Sequence, residues 1–169
     1  MPPTLAYEDA IDLLDADHKF VKKLFITFNA LCEDDAPAEE KKAVAEKICQ
    51  ELTVHAQIEE EIFYPQVREA VADDEEMMED ALQEHAEAKE MIAKIQGMDA
   101  EDEAYDGTVQ ELGDLIDHHV MDEREKIFLK ARYAELDLRG MVPELYARKK
   151  ALTGAKKPSP PARKKQVSA

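Results

Sequence analysis

The chain has no tryptophan, five glycines and two cysteines, and aromatic residues fill only 6% of its 169 positions. Scarce glycine and few aromatics, set beside 36% charged residues, suit helices with long charged outer faces better than a β-sandwich. The two cysteines form no metal motif: Cys32 falls near an expected turn, and Cys49 lies about three turns into the following helix. Both are therefore expected as free thiols, as in a cytoplasmic protein. No stretch approaches the roughly 18 apolar residues that read as a membrane span. The opening MPPTLAYEDA has neither the basic nor the apolar region of a secretory signal.

The length is that of about one domain, enough to bury a core without disulfides. Hydrophobic residues make up 44%, and the net charge is -17. Positions 152–169 carry +5 of that total, from Lys156, Lys157, Arg163, Lys164 and Lys165, which leaves -22 on residues 1–151. An acidic body of this kind does not suit nucleic acid, and it attracts cations. The basic, proline-containing tail, 153–169, is expected to be disordered and would suit an acidic partner.

Apolar periodicity predicts an all-α, antiparallel, up-down-up-down four-helix bundle over residues 1–152. Ile11, Leu14, His18, Val21, Phe25, Phe28 and Cys32 recur at alternating spacings of three and four, the seam of a helix from about Leu5 to Glu33. A second helix, from Pro37 to about Ala72, has Val44, Ile48, Leu52, His55, Glu59 and Ile62 on its seam. Pro65 should kink or loosen it without ending it, because Val67 and Val71 continue the pattern. Asp73 and Glu76 read as a capping box for a third helix that carries Met78, Leu82, His85, Ile92 and Ile95 and stops at Gly97. After an acidic loop, Thr108 and Glu111 read as the cap of a fourth helix with Leu112, Ile116, His119, Glu123 and Ile127, ending near Leu136. A short fifth helix is expected over Val142 to Leu152.

The informative residues are the polar ones on these apolar seams: His18, His55, Glu59, His85, His119 and Glu123. A buried carboxylate or imidazole without a partner costs several kcal/mol, so this group requires a compensating charge. His55 and Glu59, like His119 and Glu123, are four apart and share a helix face. Counted from the turns at about 1.5 Å per residue, the four histidines reach the same level of the bundle to within one or two turns. A single histidine with an acid four residues on is a weak signal, since acids fill 39 positions and His118 has Asp122 at that offset. Four histidines at one height, two of them with inward acids, point to a two-metal site, which bundles build from facing helices. Imidazole and carboxylate donors without thiolate favour iron or manganese over structural zinc.

Asp17-His18-Lys19-Phe20, His55-Ala56-Gln57-Ile58-Glu59-Glu60-Glu61-Ile62-Phe63-Tyr64-Pro65, Glu84-His85 and His119-Val120-Met121-Asp122-Glu123 resemble the segments of hemerythrin-like HHE cation-binding domains, over about residues 7–135. The resemblance implies two iron ions, oxo- or hydroxo-bridged, with manganese as the alternative. It also implies binding of O2 or related small ligands, NO or peroxide, in a carrier, sensor or scavenger. A di-iron enzyme decomposing peroxide, or a metal-dependent interaction protein, are the competing uses. Hemerythrin proper has a further histidine where Lys89 stands, and a carboxylate where Arg124 stands; the resemblance gives the latter role to Glu123. Lys89 is expected to extend to solvent, and His118, about 100° from His119 around the helix, to lie outside the ligand set. Leu14, Val21, Leu52, Leu82, Leu115 and Ile116 flank the candidate ligands and offer no additional donor.

Overall fold

The structure, a computed structural model, describes residues 7–155. Seven α-helices and two π turns account for its regular structure: α1 (Ala10–Glu33), α2 (Ala38–Ile58), a first π turn (Glu59–Phe63), α3 (Tyr64–Ala70), α4 (Glu75–Gln96), α5 (Tyr105–Asp122), a second π turn (Glu123–Ile127), α6 (Phe128–Tyr133) and α7 (Val142–Ala155). Each π turn joins the α-helices on either side into one continuous column. The described residues thus form the expected all-α four-helix bundle, with α1 against α2 and α5, and α4 against α2 and α5. The fifth helix, α7, lies against α2 and α1. No helix among the described residues is long and apolar enough to cross a membrane.

Helix starts depart from expectation in three places. Residues 7–9 are not helical; Asp9 is extended, and its carboxylate accepts the Asp12 N–H at 2.8 Å, so α1 begins at Ala10. The expected start at Leu5 lies outside the described residues. The Asp73–Glu76 capping box does not form. The helix instead starts after Asp74, whose carboxylate is 2.6 Å from Lys130 rather than on the helix N–H groups. Thr108 is no cap either: it sits inside the first turn of α5, its hydroxyl donating to the Ala104 carbonyl at 2.7 Å. That helix opens three residues earlier because Tyr105 is buried, 6.4 Å from Phe28 between ring centres. The fourth column ends at Tyr133, and Glu135 then takes a left-handed φ of 59°. At the other end of the chain α7 runs three residues past the expected Leu152. The rest of the tail, 156–169, lies outside the described residues.

Pro65 does not break the second column. The turn before it widens so that the Tyr64 N–H reaches the Glu59 carbonyl, five residues back. This is the loosening expected there, and it leaves room for the proline ring. The second π turn has no proline, but the Phe128 N–H reaches the Glu123 carbonyl in the same way.

The core is split in two. Leu13, Leu14, Ile58, Phe63, Val67, Met78, Ile127, Phe128 and Leu145 pack at one end. Val21, Phe25, Phe28, Ile48, Leu52, Ile92, Ile95, Tyr105 and Leu112 pack at the other. A belt of buried histidine and glutamate separates them.

Candidate metal centre

The belt is made of the six residues singled out by their place on the seams. His18 comes from α1, His55 from α2, His85 from α4 and His119 from α5, while Glu59 and Glu123 each open a π turn. Both glutamates are 0% exposed, and no histidine exceeds 8%. The shared starting point of the two π turns and the two glutamates is a local reason for the fold. The wider turn shifts the helix register after the acid, so the residue five positions on comes onto the acid's face.

These side chains surround two adjacent points. At the first, His18 Nε2 is 3.0 Å from Glu123 Oε1, and His55 Nε2 is 3.2 Å from Glu59 Oε2. At the second, His85 Nε2 is 3.2 Å from Glu59 Oε1 and from His119 Nε2, and Glu123 Oε2 lies 3.8 Å from His119 Nε2. Each carboxylate therefore turns one oxygen to each point, the arrangement of a bridging ligand. Donor atoms of His18, His55, Glu59 and Glu123 lie within 4.8 Å of one another, as do those of Glu59, His85 and His119.

Every histidine is oriented from behind by a second acid. Nδ1 of His18 meets Asp15 at 2.9 Å, that of His55 meets Asp17 at 2.9 Å, that of His85 meets Glu60 at 2.7 Å, and that of His119 meets Glu84 at 2.6 Å. With Nδ1–H donating outward, each Nε2 presents a lone pair inward, the tautomer a metal requires. Phe128 stacks on the His18 ring with centres 5.8 Å apart.

The donor set fits a cation on the structure's own terms. His18 Nε2, His55 Nε2, Glu59 Oε2 and Glu123 Oε1 are buried without a hydrogen-bond partner. They are close in distance but wrongly aligned for hydrogen bonds to each other, and a lone pair facing a carboxylate is repulsive. Buried polar groups of this kind require a partner, and either a metal ion or protons can supply the missing positive charge. Electrostatics show the same demand. Burial pushes His55 down, but the Glu59 charge and the Asp17 hydrogen bond outweigh it and hold the imidazole well above its ordinary value. Burial likewise opposes the shift at His85, yet the Glu59 and Glu60 carboxylates raise it to about 9. Glu59, despite burial, is held well below the usual carboxylate range by His55 and His85.

One residue of the site was not expected. Tyr64, 3% exposed, donates its phenol proton to Glu123 Oε2 and stands 3.3 Å from Glu59 Oε1 and 3.4 Å from His85 Nε2. It adds an oxygen at the second point, where the flanking positions considered from sequence offered none. Burial and the two nearby carboxylates push its phenol well above the ordinary value. Tyr64 is five residues after Glu59, a spacing that a regular α-helix would not place on one face.

Other residues fall outside the belt. Lys89 extends toward solvent, with its ammonium 2.8 Å from Glu60. His118 is 66% exposed, 3.4 Å from Asp122 and 3.6 Å from Glu84. Cys32 and Cys49 are free thiols, each pushed up to about 11, chiefly by burial. Against the belt lies a cavity of about 30 Å³, lined by its four histidines and by residues that include Val21, Leu52, Ile92, Ile116, Asp17 and Lys89.

Comparison with known proteins agrees with this geometry. The sequence profile described as the Hemerythrin HHE cation binding domain matches residues 9–131. A solved structure of a Hemerythrin HHE cation binding domain-containing protein from Mycobacterium kansasii superposes with a TM-score of 0.73 over 87% of this chain and 88% of that one, at 18% identity. A curated protein named DNA nickase, from Nostoc sp., is 26% identical over 121 residues. That match covers 72% of this chain but only 33% of the relative. The chain belongs to the hemerythrin HHE cation-binding domain family.

Proposed function

We propose that the protein is a non-haem di-iron protein of hemerythrin type that binds O2 or a related small ligand, NO or peroxide, with His18, His55, Glu59, His85, His119 and Glu123 as its metal ligands. The observation that carries this reading is the convergence of four inward Nε2 atoms and two two-sided carboxylates on adjacent points, beside a small apolar cavity. His18, His55, Glu59 Oε2 and Glu123 Oε1 would hold one ion. His85, His119, Glu59 Oε1 and Glu123 Oε2 would hold the other, with the Tyr64 phenol as an additional oxygen. Imidazole, carboxylate and phenol without thiolate favour iron, with manganese as the alternative.

The bound ions would supply a redox-active, ligand-accepting centre. The chain's own contribution is shape and proton placement. A cavity of about 30 Å³ has room for a ligand of two heavy atoms, as a single water needs roughly 10–15 Å³ by this kind of measure. The nickase activity named for the Nostoc relative is not carried over, because two thirds of that protein lie outside the match and the body here carries -22.

Iron-loaded protein should change its near-UV and visible spectrum on exposure to O2, azide, NO or peroxide. A spectrum indifferent to all four would refute the reading. Tyr64 favours a second use of the same centre, peroxide decomposition, because a buried phenol that already donates to Glu123 can hold a proton beside the second ion. Measuring O2 release from peroxide under turnover separates the two uses.

A further inference from the structure

The family match ends at residue 131, but the helix beyond it reaches the metal centre. Val142 and Leu145 of α7 are buried in the core. At the surface, Arg148 forms a two-pronged pair with Glu61, at 2.7 and 3.2 Å, and Glu61 belongs to the π turn that starts at Glu59. The next residue, Lys149, binds Asp17 Oδ1, while Asp17 Oδ2 is the atom that orients His55.

Each of the four outer carboxylates has a nitrogen-bearing side chain behind it, but the pairs differ in their exposure to water. Asp15 has Arg124, 46% exposed; Glu60 has Lys89, 53% exposed; Glu84 has His118, 66% exposed. Asp17 is 7% exposed and Lys149 27%. Solvent can replace the first three partners. It cannot readily replace Lys149, because Asp17 is enclosed between α1, α2 and α7. Burial opposes the charge on Asp17 too, and only His55 and Lys149 offset it.

We propose that α7 is a working part of the metal centre, in which Lys149 is a positioning residue that fixes His55 through Asp17 and so sets how tightly the first ion is held. The proposal rests on the two-metal reading above. Without the ammonium, the enclosed carboxylate has His55 as its sole remaining partner. With the Lys149 contact gone, nothing fixes the carboxylate from the α7 side, so it can turn away and leave the His55 ring without its fixed direction. The acids that orient His85 and His119 are Glu60 and Glu84, and neither is paired with Lys149.

The test uses full-length protein loaded with Co(II) as a spectroscopic probe, followed by dialysis against a chelator of graded strength. Wild type should retain two ions per chain. Lys149→Met should release one of them at least about tenfold more easily, the usual scale for loss of an outer partner of a histidine ligand, with the other unchanged. Lys149→Arg should restore retention. Arg148→Gln, which removes the other α7 contact without touching Asp17, should keep both ions. Nitrogen NMR of the metal-free protein should show the His55 Nδ1–H signal, which reports the hydrogen bond to Asp17, shifted in Lys149→Met and as in wild type in Lys149→Arg and Arg148→Gln. Should Lys149→Met not fold, Lys149→Gln should give the same selective loss. The proposal is overturned if the Lys149 variants hold both ions as wild type does, lose both equally, or behave like Arg148→Gln. A wild type that takes up no Co(II) would instead overturn the two-metal reading itself.

Discussion

Loading the centre with metal should expel protons, and the structure sets how many. In the metal-free protein His55 lies well above the ordinary histidine value and His85 at about 9, so both are protonated at pH 7. Metal coordination requires the neutral imidazole. Filling both positions at pH 7 should therefore release about two protons, and the affinity at the His85 position should rise about tenfold per pH unit up to about pH 9. The same groups govern stability without metal. The His85 contribution, on the order of 3 kcal/mol for a rise from 6.5 to about 9, is complete below the unfolded value near 6.5 and disappears as pH climbs to about 9. Glu59, depressed in the folded protein, contributes above its unfolded value near 4.5, and that part is lost as pH falls through the depressed value. Metal-free protein should thus be most stable between about pH 4.5 and 6.5, and metal-loaded protein should lack the decline toward pH 9. Calorimetric titration in two buffers of different ionisation enthalpy counts the protons, and melts across pH follow the stability. Release of less than half a proton per chain at pH 7 would refute the assignment of buried, charged histidines facing Glu59.

Further outcomes follow from individual contacts. Glu59 turns one oxygen to each point, so Glu59→Ala should lose both ions, whereas His18→Ala should weaken one; metal content after gel filtration distinguishes them. Tyr64→Phe removes the phenol proton from a fully buried Glu123 carboxylate, so metal-free protein should lose about 1–3 kcal/mol in a denaturant melt. With both thiols pushed up to about 11, native protein at pH 8 should react slowly with iodoacetamide, and unfolded protein quickly.

The bundle and the six belt residues were legible because burial and helix periodicity leave the same mark: an apolar seam every three or four residues, interrupted at one level by histidine and glutamate. Tyr64 was not legible, since its alignment with Glu59 depends on a π turn that no propensity announces without structure. The outer acids were hidden for a different reason. With 39 acidic residues in the chain, four more beside histidines carry little signal, and neighbours in sequence mislead. Asp17 precedes His18 but orients His55, and Glu84 precedes His85 but orients His119. Those pairings cross between helices and exist only once the bundle has formed. The misplaced helix starts were hidden for another reason: Thr108 has the chemistry of a cap, but burial of Tyr105 against Phe28 starts α5 earlier and leaves Thr108 inside the first turn.

The central claim is that this belt holds two ions, and counting metal per chain tests it most directly. Elemental analysis of protein purified from its native host should give about two ions per chain, predominantly iron. A value near zero, or a single zinc per chain, would contradict the account.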